Sequence, residues 1–196
     1  MNVLVVLTHP IKDSFNRDIL RAVEDGLADA GHTVKVADLY EEGFQPAMIP
    51  EDFAVFEDLP PPADVLAEQA RVEWSDAMVF IFPIWWWSMP AMLKGWMDRV
   101  MCYGWAWVDP RDPDSGHLKH RKLLVLATAG DTAKAFAKRG YDTALDTQLN
   151  VGIWNFCGFK DVTTRIFHGV RQEPQEELRA AYLKEARELA INQFSE

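Results

Sequence analysis

Hydrophobic positions along the chain alternate between two periodicities. Residues 2–8 (NVLVVLT), 77–82 (AMVFIF) and 122–128 (KLLVLAT) are apolar runs without polar interruption, as expected of central parallel strands covered on both faces. Residues 33–39 and 161–167 read as two further strands. Helical patterns fill the gaps. Residues 15–30 place Ile19, Leu20, Val23 and Leu27 on one face and stop at Gly31. Residues 63–74, 89–100 and 143–156 continue the series, and 174–194 is a final amphipathic helix. Strand and helix in strict alternation predict an α/β protein, a doubly wound five-stranded parallel sheet with helices on both faces. No internal repeat, low-complexity tract or linker interrupts residues 1–196, so one domain is expected. Two stretches stand outside the pattern. Residues 39–62 are irregular, rich in Pro and acids, and longer than a simple connection needs, which makes them a functional candidate. Residues 107–120 read as a polar insertion bearing Pro and Gly.

Composition narrows the function. The chain has 196 residues, 48% hydrophobic and 26% charged, enough for a sizeable core. Its net charge of −10 would repel phosphate backbones and anionic headgroups, so nucleic acid is not an expected partner. A local anion site built from backbone N–H groups remains open. Cys102 and Cys157 lie far apart without metal-ligand spacing, and the five His show no HExxH-type pattern, so no metal site is expected. The start, MNVLVVLTHP, lacks the basic region of a signal peptide. Residues 77–93 are interrupted by Pro83, Ser88 and Pro90 and do not read as a membrane span. A reduced, cytoplasmic protein without membrane insertion is the expectation.

Ligands of doubly wound sheets bind beyond the carboxyl ends of the strands, where strand order reverses. Three stretches reach such ends: residues 8–16, 83–90 and 128–132. The first opens a helix, so the N–H groups of residues 14–17, with the Ser14 hydroxyl and Asn16 amide, would suit a phosphate; Asp13 and Ser14 are equally ordinary helix caps. Neither GxGxxG nor GxxxxGK[ST] is present. The second stretch puts Trp85, Trp86 and Trp87 in a row between Pro83 and Pro90. Such a loop can lie against a planar heterocycle or form a dimer surface. In the third, Thr128 offers a hydroxyl and Gly130 permits close approach, although an ordinary βα turn has the same make-up.

Four motifs together, HPxxxSFN at 9–16, DLY at 38–40, FPIWWWSMPAMLKGWMDRV at 82–100 and FCGF at 156–159, resemble the flavin-dependent NAD(P)H:quinone oxidoreductases of the flavodoxin-like superfamily. The resemblance runs through nearly the whole chain and implies strand order 2-1-3-4-5. It implies that NADH or NADPH delivers hydride to flavin N5 and that a quinone or similar planar acceptor then takes the same slot, a ping-pong cycle. Pro83, Ile84, Trp85, Trp86 and Trp87 would contact the flavin ring. His9, Ser14, Phe15 and Asn16 would hold the pyrophosphate, and Thr128, Ala129 and Gly130 would approach N1/O2. Trp86, Trp105, Trp107 and Tyr141 would line the substrate pocket, Trp105 and Trp107 from the neighbouring subunit of a homodimer. The SFN form looks like the FAD-binding branch, FMN being the alternative. Where animal members carry a Tyr and a His that assist hydride transfer, this chain has Phe136 and Arg139, and no His lies between Asp131 and Asn155; no catalytic residue is assigned. Azo, nitroaromatic or free-flavin reduction, a flavodoxin-type electron carrier, and a regulatory subunit of a potassium-efflux system remain the competing readings.

Overall fold

The computed structural model describes residues 1–109, 111, 116, 118, 121–171 and 175–194. Five strands, β1 (Asn2–Leu7), β2 (Thr33–Asp38), β3 (Ala77–Pro83), β4 (Lys122–Thr128) and β5 (Asp161–Phe167), form one parallel sheet in the order β2-β1-β3-β4-β5. The chain winds outward from β1 to β2 and then resumes on β1's other side with β3. The switch point therefore lies between the carboxyl ends of β1 and β3.

Each central strand buries both of its faces, which accounts for the unbroken apolar runs. Val3, Val5, Leu7, Val79, Ile81 and Leu126 pack under α1 (Phe15–Asp29) and α6 (Gln175–Phe194), through Ile19, Leu27, Ala186, Ala190 and Phe194. Leu4, Val6, Phe80, Phe82 and Val125 pack on the other face against α2 (Ala63–Trp74) and α3 (Ala91–Val100), with Trp96 and Trp154 as the largest fully buried groups.

The connection from β4 to β5 departs from expectation. Instead of one regular helix over 143–156, the chain forms α4 (Ala133–Arg139), turns at Gly140 with φ 71°, forms α5 (Tyr141–Leu145), and continues as a wide π-type helix over Asp146–Asn155. The hydrophobic pattern does not predict α4. Helix α3 begins at Ala91 behind Pro90 rather than at residue 89, because a proline fits the entrance of a helix and not its interior.

The irregular stretch is fastened rather than free. It contains a 3-10 helix, Pro50–Glu57. The guanidinium of Arg99 on α3, 1% exposed, donates to Asp52 at 2.9 Å, to Asp64 at 2.6 Å and to the Gln45 carbonyl at 2.8 Å. Removing one partner of such a buried ion pair typically costs about 3–5 kcal/mol. Most of the insertion over 107–120 lies outside the described residues.

Candidate functional site

The three strand ends singled out above meet in a cleft of about 600 Å³ at the switch point. His9, Ser14, Phe15, Asn16, Pro83, Ile84, Trp85, Trp86, Thr128 and Gly130 line it.

One wall is the entrance of α1. Ser14 occupies the cap position with extended backbone, φ −88° and ψ 155°, yet its side chain makes no capping hydrogen bond. Its hydroxyl is buried and has no partner among the described residues. Asn16, 3% exposed, accepts from the Thr128 hydroxyl at 3.0 Å, and its amide nitrogen is buried without a partner. The Thr8 hydroxyl, fully buried at the end of β1, is likewise unpartnered. A buried polar group left unsatisfied costs about 1–3 kcal/mol. Two of the three, Ser14 and Asn16, stand at a helix entrance lining the cleft, where free N–H groups already carry positive potential and suit a cradle for an anionic oxygen cluster. The residues present thus fit the phosphate end of a flavin nucleotide, and capping alone leaves the Ser14 hydroxyl unexplained.

His9 faces the same space. The Ile11 amide donates to its Nδ1 at 3.1 Å, which leaves Nε2–H as the donor of the neutral ring. Burial holds its pKa below the ordinary value, and the Arg17 charge adds to this. The Asp of the DLY motif lies behind the cradle: Asp38 pairs with Arg17 and accepts from the Glu41 amide at 3.1 Å, tying α1 to the end of β2.

The opposite wall is the tryptophan loop. Ile84 extends the ladder by donating to the Thr128 carbonyl at 2.7 Å. Trp85 and Ser88 then exchange both backbone hydrogen bonds, at 3.0 and 3.1 Å, around Trp86 and Trp87. These two have φ of 50° and 53°. That is a two-residue hairpin of the I′ kind, a turn normally built from Asn-Gly. Left-handed backbone at a bulky residue costs on the order of 1–3 kcal/mol, and such outliers gather at functional sites. The strain sends Trp86 outward at the cleft mouth, 88% exposed.

The remaining expected residues lie elsewhere. Ala129 donates its N–H to the Phe167 carbonyl and accepts from the Val170 amide, so its backbone serves the sheet and it does not line the cleft. Trp87 also stays outside the lining and packs on Tyr141, ring centroids 4.3 Å apart. Trp105 is 8% exposed with its indole N–H on Glu73 at 2.8 Å. Trp107 sits between Tyr103 and Phe156 beside a separate hollow of about 140 Å³. Phe136 is buried, and Arg139 pairs with Asp131 at 3.6 Å. Cys157 is buried, which pushes its thiol up to about 12, and Cys102 is a second free thiol.

Sequence reasoning missed Val170, Arg171 and Arg179, which close the cleft from the end of β5 and from α6. Arg179 donates to the Val170 carbonyl at 3.1 Å and lies over the Phe15 ring, while its Nε is buried without a partner among the described residues. Arg171 lies against Gly130, where a Cβ would come within 3.2 Å of its side chain. The strand-end rule extended to β5 would have found Arg171. Arg179 comes from a helix placed there only by packing. Both bring positive charge to a cleft that the Asp13 carboxylate also lines.

Among the described residues no helix is long and apolar enough to cross a membrane, and no group of three His, Cys, Asp or Glu could hold a metal ion.

Comparison with known proteins agrees with this fold. A family model described as a flavodoxin-like fold matches residues 1–190. The ribosyldihydronicotinamide dehydrogenase (quinone) of Rattus norvegicus is 33% identical over 195 residues, covering 89% of this chain and 84% of its own. The NAD(P)H dehydrogenase (quinone) 1 of Cavia porcellus is 28% identical, covering 87% of this chain and 70% of its own. The structure of an NAD(P)H:quinone oxidoreductase from Methanothermobacter marburgensis superposes with a TM-score of 0.89 at 32% identity, covering 100% of this chain and 97% of that one. A match of this extent, on a sheet wound in the same order, makes this chain a member of the flavodoxin-like family.

Proposed function

We propose that this protein is a flavin-dependent NAD(P)H:quinone oxidoreductase, a single domain that works as a cytoplasmic homodimer. The observation that carries the reading is the unpartnered Ser14 hydroxyl and Asn16 amide at the entrance of α1, facing an aromatic wall across one cleft. Phosphate oxygens would take those two donors and the free N–H groups of the first turn of α1. Arg171 and Arg179 would meet a second phosphate, which favours FAD over FMN. Pro83, Ile84, Trp85 and Trp86 would lie along the ring system, with Thr128 and Gly130 at its other edge.

The bound flavin would supply the two-electron chemistry, taking hydride from NADH or NADPH at N5 and passing it to a quinone. The chain's contribution is positioning. Trp85 and Trp86 present flat apolar surface to a planar nicotinamide or quinone, and one slot serves both in turn, which predicts ping-pong kinetics. Neutral His9 offers an N–H donor without adding charge. Phe136 has no ionisable group, so the Tyr/His role of the animal enzymes is not carried over and no catalytic residue is assigned.

The test is the visible spectrum of the purified protein under anaerobic titration. Flavin bands that bleach with NADH or NADPH and return with a quinone are expected, with FAD released on denaturation. Flavin that stays oxidised would indicate an electron carrier or a regulatory subunit. A colourless protein that takes up neither FAD nor FMN would reject the site.

A further inference from the structure

The Trp86–Trp87 turn is held in an unfavourable backbone conformation, and its own two hydrogen bonds are those of any two-residue hairpin. Strained turns of this kind persist only where neighbouring structure over-determines them. The neighbouring structure here is the connection from β4 to β5. The Trp87 ring lies 4.3 Å from the Tyr141 ring at 32°. Tyr141 in turn meets buried Phe136 edge-on at 5.8 Å, so the contact is anchored in the core. One residue further along the loop, the Ser88 hydroxyl donates to the Gln148 side chain at 3.2 Å, from the wide helix Asp146–Asn155. Trp86 leans on Trp87 at 5.8 Å and is otherwise projected into solvent at the cleft mouth. Where Trp86 points is therefore set by Trp87, and Trp87 is set from outside the cleft.

We infer that Tyr141 and Gln148 are positioning residues that clamp the left-handed Trp86–Trp87 turn and so aim the Trp86 indole over the cleft. This rests on the oxidoreductase reading for its consequence, though not for its structural half. Tyr141 acts through its ring: among the described residues its hydroxyl makes no hydrogen bond, and it does not line the cleft as the resemblance implied. Its ring contact outweighs the exposed hydrogen bond from Ser88, so Tyr141 is the main clamp and Gln148 the lesser one.

Two measurements test this. The first is amide hydrogen exchange of Trp85 and Ser88 in the cofactor-free protein. Tyr141→Ala should lower protection at Ser88 about tenfold, Gln148→Ala a few-fold, and Tyr141→Phe not at all, while Val125 in the sheet keeps its protection in every variant. The second is steady-state quinone reduction by the flavin-loaded protein. Tyr141→Ala should raise quinone KM about tenfold with kcat within about twofold, and Tyr141→Phe should restore KM. Unchanged Ser88 protection in Tyr141→Ala overturns the clamp. A kcat lost equally in Tyr141→Phe and Tyr141→Ala overturns it too, because the hydroxyl would then act on substrate. Absence of quinone reduction by the unaltered protein removes the oxidoreductase reading, and the exchange data still decide the clamp.

Discussion

Ser14 and His9 are single side chains of the cleft lining whose chemistry can be tested one at a time. The cap position of α1 has the right backbone for a Ser14-to-amide bond, yet the buried hydroxyl at the cleft wall makes none. Ser14→Asp separates the two uses. Aspartate is at least as good a helix cap as serine, so the apoprotein should melt within about 2 °C of the original, while a carboxylate beside phosphate oxygens should strip the flavin. Flavin content and melting of the purified variant check this; full flavin occupancy would remove Ser14 from the cradle. His9, His32 and His168 share a second property. Burial is the first cause that holds each below the ordinary imidazole value. The unfolded chain therefore binds more protons than the native one just below about pH 6.5, and stability must fall as pH drops through that value. The melting temperature should decline between about pH 7.5 and about pH 5.5, with proton uptake on unfolding near about pH 6. A melting temperature that rises on acidification across that window would contradict the burial of these rings.

Elements are placed by a few close approaches. Gly95 on α3 lets the irregular segment lie directly on the helix, since a Cβ there would run into the Pro46 carbonyl. Together with Arg99 it explains why residues 45–64 are held against α3 although they form so little regular structure. Gly95→Ala should cost about 2–3 kcal/mol, or roughly 5–10 °C in melting temperature, through overpacking against backbone that cannot rotate away. Thermal unfolding monitored by circular dichroism measures it, and a shift below about 1 °C would mean the loop moves freely. The wide helix shows another local solution. Leu149 and Trp154 are its buried positions, and with Leu145 at the end of α5 they are spaced by four and then five residues. A regular helix would turn Trp154 off the core, whereas the expanded ladder lets it stack on Phe80 at 4.8 Å. The same expansion ends at Phe156 and the FCGF turn, where Gly158 has φ 87° and Phe159 re-enters the core.

At the scale of the whole molecule the most conspicuous surface is an aromatic ladder. Phe53 and Phe56 are more than half exposed, Phe56 stacks on Tyr103 at 5.5 Å and 7°, and contacts continue through Trp107 to Phe156. Contiguous apolar surface of this kind is common at interfaces, and the proposed homodimer would bury it. Trp107, expected at a substrate pocket, lies on this ladder and not in the lining of its own chain's cleft. Phe56→Glu should shift sedimentation from dimer to monomer with little change in melting of the isolated fold. Quinone turnover should fall in the same variant while flavin stays bound. A variant that remains dimeric moves the interface elsewhere.

The doubly wound sheet was legible because burial on both faces writes an unbroken apolar run into each central strand, whereas its strand order came only from the resemblance. Those runs are local in sequence. The strand-end stretches that line the cleft were legible for a related reason: a strand end followed by a helix is a continuous stretch of chain. Contacts between distant segments were not legible. Arg179 reaches the cleft from a helix that reads as ordinary and amphipathic, Tyr141 meets Trp87 across the sheet's carboxyl edge, and a one-residue widening of a helix decides that Trp154 is core. Each depends on which surfaces meet once the layers have packed, and a side chain's partner across such a contact leaves no periodic trace in the residues around it. The left-handed tryptophan turn is the clearest instance, since local propensity opposes it and only the structure packed behind Trp87 holds it.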